Sequence, residues 1–398
     1  MNLPSPRRDA SSGSLAQWAL WPASAGYPYT TVDPVTDFGQ ATHDLYATIT
    51  YIVLVIFVLV SALLAYTLVT FKDDGKPGNP EQIHGNLTME IGWTMLPVAI
   101  ILLMIVPTIR TIFKIADTPP VGAFDASGKV LVDEDGNPTK PTVEINVIGK
   151  RWWWAFEYPQ YGITTGNQMN FPVDRPVSLY ITSDTVIHSF WLPRVGGKRD
   201  AVPGRVNRIW FNWDNAKAPV AEGKPEWVRG ECAEYCGEAH SMMRFETLAM
   251  AGTDFDTWTT EMKKPLAGEG DGAKAFAEAG CIGCHMVEGV EGAVGKQGPA
   301  LTAFGDRRYL AAGVHDMYPN GPDDTAYAKG KLVQWITDPN SLKPGTTKSA
   351  NPSRAIDGMN IPADANGNGV LEESEFPKAK VEAIADWLMA MKTSYPLR

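Results

Sequence analysis

Residues 46–71 read "YATITYIVLVIFVLVSALLAYTLVTF", with no charge between Asp44 and Lys72. A run of roughly 20 apolar residues crosses a bilayer as a helix. The polar positions mark no amphipathic stripe of the kind a surface helix needs. A second run, "IGWTMLPVAIILLMIVPTI", lies between Glu90 and Arg110 and carries Pro97 and Pro107, which membrane helices tolerate better than soluble ones. The pattern predicts a transmembrane hairpin over 45–112, with helices at about 46–71 and 90–112 after an N-terminal extramembrane segment, 1–44. That segment lacks the basic start and short apolar stretch of a signal peptide. Lys72 and Lys76 stand against Asp73, Asp74 and Glu81 in the loop, and Arg110 and Lys114 follow the second run, so charge alone does not orient the hairpin.

The 398 residues leave room for further domains beyond the anchor. Residues 113–140 are rich in Pro, Gly and Asp and read as a linker with turns. From 141 to 261 short strand-like runs alternate with turn signals: "TVEINVIG", "RWWWAFEY", "PVSLYITS", "VIHSFWLP", "RVNRIWFNW" and "MRFETLAM". Such spacing predicts a β-sandwich or barrel. A linker at 262–270 leads to a mostly α region, 271–398, where Val381, Ile384, Ala385, Leu388 and Met391 recur at helical spacing. With 45 acidic against 35 basic residues the formal charge is -10, which excludes a nucleic-acid partner and suits a basic protein.

Four cysteines form two tight pairs, which leaves nothing for a long-range disulfide framework. "CIGCH" at 281–285 is the haem c attachment pattern: Cys281 and Cys284 add to the porphyrin vinyl groups and His285 takes one axial position. A redox pair or half a zinc site is the alternative, but no second cysteine pair lies in this helical region. Met359, in "DGMNIP", resembles the ligand methionine of class I cytochromes c, with His315 and Met317 as rivals. By the same resemblance "GPAL" at 298–301 places the Pro299 carbonyl to accept a hydrogen bond from the ligating imidazole.

"CAEYCGEAHSMM", 232–243, sets Cys232 and Cys236 four apart, followed by His240 and Met243. Thiolate and thioether are soft donors that select copper, and imidazole serves it too. With His188 from "SDTVIHSFWLP" there are donors enough for two copper ions bridged by both sulfurs. A disulfide is awkward at this spacing, a mononuclear copper needs one cysteine, and zinc has no use for Met243.

The pattern of a distant histidine followed by CxExCxxxHxxM, behind a two-helix hairpin, resembles subunit II of the haem-copper cytochrome c oxidases over residues 40–255. The resemblance implies a cupredoxin-like domain whose dinuclear CuA centre is held by His188, Cys232, Cys236, His240, Met243 and the Glu234 carbonyl. It implies a magnesium or manganese ion on the Glu234 side chain, shared with subunit I. In "GKRWWWAFEYP" it marks Trp152 as the point where electrons enter, and in "MEIGWTMLP" it marks Glu90 at the mouth of a proton pathway. Together with the C-terminal class I cytochrome c domain, all-α in build, it points to the caa3 type. Haem c is attached outside the bacterial cytoplasm, so the resemblance also orients a multi-pass protein in the plasma membrane with its large domains outside. The implied partners are subunit I, other oxidase subunits, and a soluble cytochrome c or a quinol-oxidising complex as donor. A nitric oxide reductase small subunit with CuA is the alternative, a copper carrier a more distant one. A quinol oxidase subunit lacks the copper ligands found here.

"DANGNGVLEESE", 364–375, fits the calcium-loop template, with Asp364, Asn366, Asn368, the Val370 carbonyl and Glu375 as ligands and Gly369 at the turn. Its rival is ordinary turn chemistry, since no helix enters it. His43, His84 and His315 have no assigned role.

Overall fold

The computed structural model describes residues 30–72, 75, 78, 82, 84–116, 142–266, 268–346, 363–368 and 370–394. Its first helix, α1 (Asp37–Thr70), starts well before the apolar run. Thr36 caps it by accepting from the Gly39 amide at 2.9 Å, and Asp37 places a negative charge at the positive end of the helix dipole. This first turn is sewn to the β domain: the Asp37 carboxylate accepts from the Asn212 amide and side chain, both at 2.9 Å, and Arg194 pairs with Asp33 and Glu226. The second helix, α2 (Leu87–Ala116), continues past Arg110, and Lys114 in its last turn complements the dipole. Beyond Ala41 of α1, and short of Ile115 of α2, which packs on the β domain, the apolar side chains of both helices face mostly outward, as a bilayer requires.

Ten strands follow, in two five-stranded sheets. In chain order they are β1 (Val143–Lys150), β2 (Trp153–Tyr158), β3 (Ile163–Gly166), β4 (Gln168–Pro172) and β5 (Val177–Ser183). Then come β6 (His188–Trp191), β7 (Arg199–Ala201), β8 (Asn207–Phe211), β9 (Glu226–Cys232) and β10 (Arg244–Met250). One sheet runs β3-β2-β1-β5-β8 and the other β4-β10-β9-β6-β7, parallel at β1 with β5 and at β4 with β10 and antiparallel elsewhere. Strict alternation buries Val143, Ile145 and Val147 of β1 while their neighbours face out. Between the sheets Trp154, Phe156, Phe190 and Phe245 form an aromatic core, Phe190 stacking on Phe245 at 4.7 Å. Helix α3 (Gly252–Glu261) covers one end, its Trp258 against Tyr158 at 5.4 Å.

Among the described residues that follow, the regular elements are mostly helices, α4 (Asp271–Glu278), α5 (Thr325–Thr337), α6 (Pro339–Leu342) and α7 (Lys378–Ala390), with a small ribbon of β11 (Tyr309–Leu310) and β12 (His315–Asp316). Helices α4 and α7 pack through Phe276 and Trp387, 5.2 Å apart, over a core that includes Leu332, Ile384 and Leu388. This unit lies directly on the β-sandwich. The Arg244 amide donates to Ala312 O at 3.0 Å, Arg229 donates to Gly313 O at 2.7 Å, and the Arg229 guanidinium sits 4.0 Å from the Tyr309 ring centre. Lys343 Nζ donates to Trp152 O at 2.6 Å across the same boundary.

Candidate metal centres and the cavity between the domains

Cys232 ends β9, which pairs with β6, so the strand register sets Cys232 beside the end of β6 that carries His188. The loop after β9 returns Cys236, and the short turn His240–Met242 delivers His240 and Met243 to the same place. The two sulfurs lie 3.9 Å apart, far beyond the roughly 2.05 Å of a disulfide, and all four cysteines are free. His188 Nδ1 is 3.7 Å from Cys232 Sγ, His240 Nδ1 is 3.6 Å from Cys236 Sγ, and Met243 Sδ is 3.8 Å from Cys236 Sγ. Glu234 O is 3.2 Å from Cys232 Sγ, while the rest of Glu234 is exposed. His188, Cys232, Cys236 and Met243 are buried and His240 half-buried. The ligand atoms of His188, Cys232 and Cys236 lie within 4.8 Å of one another, and His240, Met243 and the Glu234 carbonyl each stand beside one of the two sulfurs.

The two thiols are electrostatically coupled. The Cys236 thiol hydrogen bond, first, and the bond to His188 hold Cys232 down at about 3 against its burial, whereas Cys232 and burial drive Cys236 far above the usual thiol range. Without a positive charge between them only one of the pair is a thiolate; with one, both are. The donor set, two thiols and a thioether beside imidazole, fits copper.

Gly149 on β1 is a functional residue that the sequence did not reveal. A Cβ built there would stand 2.7 Å from Cδ2 of His188, so only a hydrogen at this position lets the imidazole lie against the strand. Its signal is purely tertiary.

In the helical unit Cys281 and Cys284 flank a short turn after α4, and burial raises Cys281 to about 11. His285 Nδ1 is 2.8 Å from Pro299 O, which assigns the proton to Nδ1 and leaves Nε2 for a metal. Burial lowers the pKa of His285, which keeps the imidazole neutral. These residues open on a cavity of about 600 Å³, also lined by Leu301, Phe304, Leu332 and Leu388, a size suited to a cofactor. Of the two rival axial ligands neither lines it: His315 is engaged with Leu342 O at 2.7 Å, and Met317 is buried in the helical core. Met359 lies outside the described residues.

The cavity's other wall belongs to the β-sandwich: Lys150, Trp152, Trp153 and Glu246 line it. Trp152 is buried, and its indole nitrogen donates to Cys236 O at 3.0 Å, so one side chain touches both the cavity and the loop that carries Cys236. Burial raises Glu246 to about 8 against the pull of Arg229, Arg307 and Arg308, and its Oε2 has no hydrogen-bond partner among the described residues. Burial likewise lowers Lys343 to about 7, with Cys236 opposing.

Glu90 stands apart from these sites at the start of α2, exposed, where its carboxylate accepts from the Asn86 amide at 3.1 Å and helps cap the helix. The 364–375 loop is curled on itself: Asp364 accepts from the Gly367 amide at 2.8 Å and Glu375 from the Asn366 amide at 2.9 Å. Leu371 anchors it through Thr337 O at 2.8 Å, and Gly369 lies outside the described residues.

Two family profiles match: the cytochrome c oxidase subunit II transmembrane domain over residues 35–111, and its periplasmic domain over 162–248. "Cytochrome c oxidase subunit 2" of Alkalihalophilus pseudofirmus is 33% identical over 83% of this chain and 87% of that protein. The chain belongs to the cytochrome c oxidase subunit II family. "Quinol oxidase subunit 2" of Bacillus cereus is 27% identical over 58% of this chain and 72% of that one. Among solved structures, the periplasmic domain of subunit II of cytochrome oxidase of Bradyrhizobium japonicum is 28% identical, covering 30% of this chain and 91% of that chain with a TM-score of 0.27. As a subunit II the chain is an oxidoreductase component of a bacterial terminal oxidase, anchored by α1 and α2 with its β domain on the outer side, and it delivers electrons to the complex alongside subunit I.

Proposed function

We propose that the chain takes electrons at a covalently held haem c and passes them through a dinuclear CuA centre to subunit I, as a caa3-type subunit. One observation carries this reading: the cavity that opens on Cys281, Cys284 and His285 is walled by Trp152, whose indole is hydrogen-bonded to Cys236 of the cysteine cluster. A bound haem supplies a one-electron iron couple and a copper pair a second couple that shares its charge over two ions. The residues supply the rest. Cys281 and Cys284 would hold the porphyrin, Pro299 orients the His285 ring that would ligate the iron, and Met359 would be the second ligand, a pairing that would raise the potential. His188, Cys232, Cys236, His240, Met243 and the Glu234 carbonyl hold the copper pair. Trp152 carries electrons between the two.

The exposed Glu234 side chain holds magnesium or manganese against subunit I, and Glu90 feeds the proton pathway of that subunit. The donor is a soluble basic cytochrome c or a quinol-oxidising complex; the excess of acidic residues, 45 over 35, favours attraction of a basic protein. Tethering the cytochrome unit raises its effective concentration at Trp152.

Calcium in the 364–375 loop is a separate part of the proposal, with Asp364, Asn366, Asn368, the Val370 carbonyl and Glu375 as ligands. The curl of the loop around Glu375 supports it. Calorimetry that finds no heat with calcium, or the same heat in Glu375→Gln, removes it.

The main test is paramagnetic resonance with optical spectra on the detergent-solubilised, copper-loaded chain. A seven-line copper signal from an electron shared by two equivalent nuclei, beside a low-spin haem c spectrum, is expected. A four-line signal or an absent haem overturns the assignment.

A further inference from the structure

Lys343 follows α6 and is buried at the boundary of the two units, where its ammonium donates to Trp152 O at 2.6 Å. Among the described residues no carboxylate pairs with it. An apolar side chain would fill the space without the cost of desolvating an ammonium, so packing does not account for a lysine here. What it adds is a strong, directed hydrogen bond to one backbone carbonyl of the opposite unit. That carbonyl belongs to the residue whose ring already meets the copper-ligand loop. The indole donates to Cys236 O at 3.0 Å, and a Cβ on Gly237 would come within 2.9 Å of its Cζ2, so ring and loop are in direct contact. Trp152 is therefore gripped at its backbone by the helical unit and at its ring by the loop, with both Trp152 and Lys343 facing the cavity. At 9% exposure the ring offers little surface to a second protein.

We propose that Lys343 is a positioning residue: it locks Trp152 between the haem cavity and the copper-ligand loop and keeps the helical unit seated over Trp152, so that electrons reach the copper centre only by way of the cavity. The inference rests on the function proposed above. Each transfer moves one electron from the cavity side to the cysteine cluster, with no bond made or broken and no proton shifted. An external donor accordingly docks on the helical unit and cannot reduce the copper pair directly.

The test compares wild type, Lys343→Met and Lys343→Arg in the assembled, detergent-solubilised oxidase. Methionine keeps the length and removes the donor, while arginine keeps a cationic donor. Hydrogen exchange in peptides covering 150–154 and 236–238 reads the lock itself, whether or not the centres load. Flash reduction reads donor-to-haem and haem-to-copper rates separately. In Lys343→Met, exchange in those peptides should rise about tenfold, the worth of roughly one hydrogen bond, and haem-to-copper transfer should slow. Donor-to-haem transfer and both optical spectra should stay as in wild type, and Lys343→Arg should recover most of the loss. If Lys343→Met fails to load a centre, raised exchange confined to these peptides supports the lock and unchanged exchange overturns it. Wild-type transfer in a loaded Lys343→Met, or copper reduced before haem in wild type, overturns the inference while the two centres stand. A wild type without haem c or the copper pair overturns the underlying function instead.

Discussion

Met243 is buried among the donor atoms, and its sulfur is the one part of it that packing does not require. Met243→Leu nearly conserves volume, so it should cost less than about 1.5 kcal/mol of stability. It should still alter the copper signal, measurable as changed hyperfine splitting with a melting temperature lowered by only a few degrees. Gly149→Ala makes the opposite case. Its methyl would collide with the His188 ring, so it should destabilise the β domain by about 1–3 kcal/mol and lower copper stoichiometry, read by metal analysis and thermal unfolding. The contrast explains what sequence discloses at this scale. Cysteine, histidine and methionine betray themselves because ligand chemistry needs those atoms at short spacing. Gly149 and Lys343 do not, because a close approach from β6 to β1, or from a loop after α6 to Trp152, exists only after folding.

Strand β9 shows how an element hides. In "EWVRGEC" the adjacent Trp227 and Val228 break the alternation, two of the outward side chains, Arg229 and Glu231, are charged, and a long polar stretch precedes it. In the fold it is an inner strand between β10 and β6, with Val228 and Cys232 inward and Arg229 turned to the helical unit. The short strands β3, β4 and β7 escape notice for want of length, whereas β1, β2, β5, β6, β8 and β10 carry the aromatic and β-branched residues that mark strands. β10 also holds Glu246, which faces Arg229 on β9 and Arg307, Arg308 and Asp316 of the helical unit. Its folded pKa of about 8 exceeds the ordinary 4.5, so the folded state keeps a proton that the unfolded chain loses. The stabilisation is fully present below the unfolded value and is lost as pH rises towards 8, at a slope of at most about 1.4 kcal/mol per pH unit. Melting temperatures of the purified chain should fall across this window, and Glu246→Gln, neutral throughout, should flatten the profile.

For the molecule as a whole, the two apolar runs were legible because bilayer thickness imposes a length that few soluble segments match. The seating of the helical unit on the β-sandwich was not, since it depends on single contacts such as Arg229 on Tyr309 and Lys343 on Trp152. That seating makes the two units differ in what they need to fold. The sandwich encloses its own aromatic core, while the helical unit contributes Leu301, Phe304, Leu332 and Leu388 to the apolar wall of the cavity of about 600 Å³ between the two units. Apolar side chains that line a cavity of that size forfeit packing unless a ligand fills it. Cys281→Ala with Cys284→Ala, which removes the proposed attachment, should therefore unfold the helical unit first and leave the sandwich intact. Scanning calorimetry should resolve a new transition below the main one, and limited proteolysis should cut within 271–394 before it touches 142–262. With that unit loosened, Trp152 loses its cover and an external donor gains direct access to the copper loop. A single cooperative transition at the wild-type temperature would show instead that the helical unit needs no bound group to hold its shape.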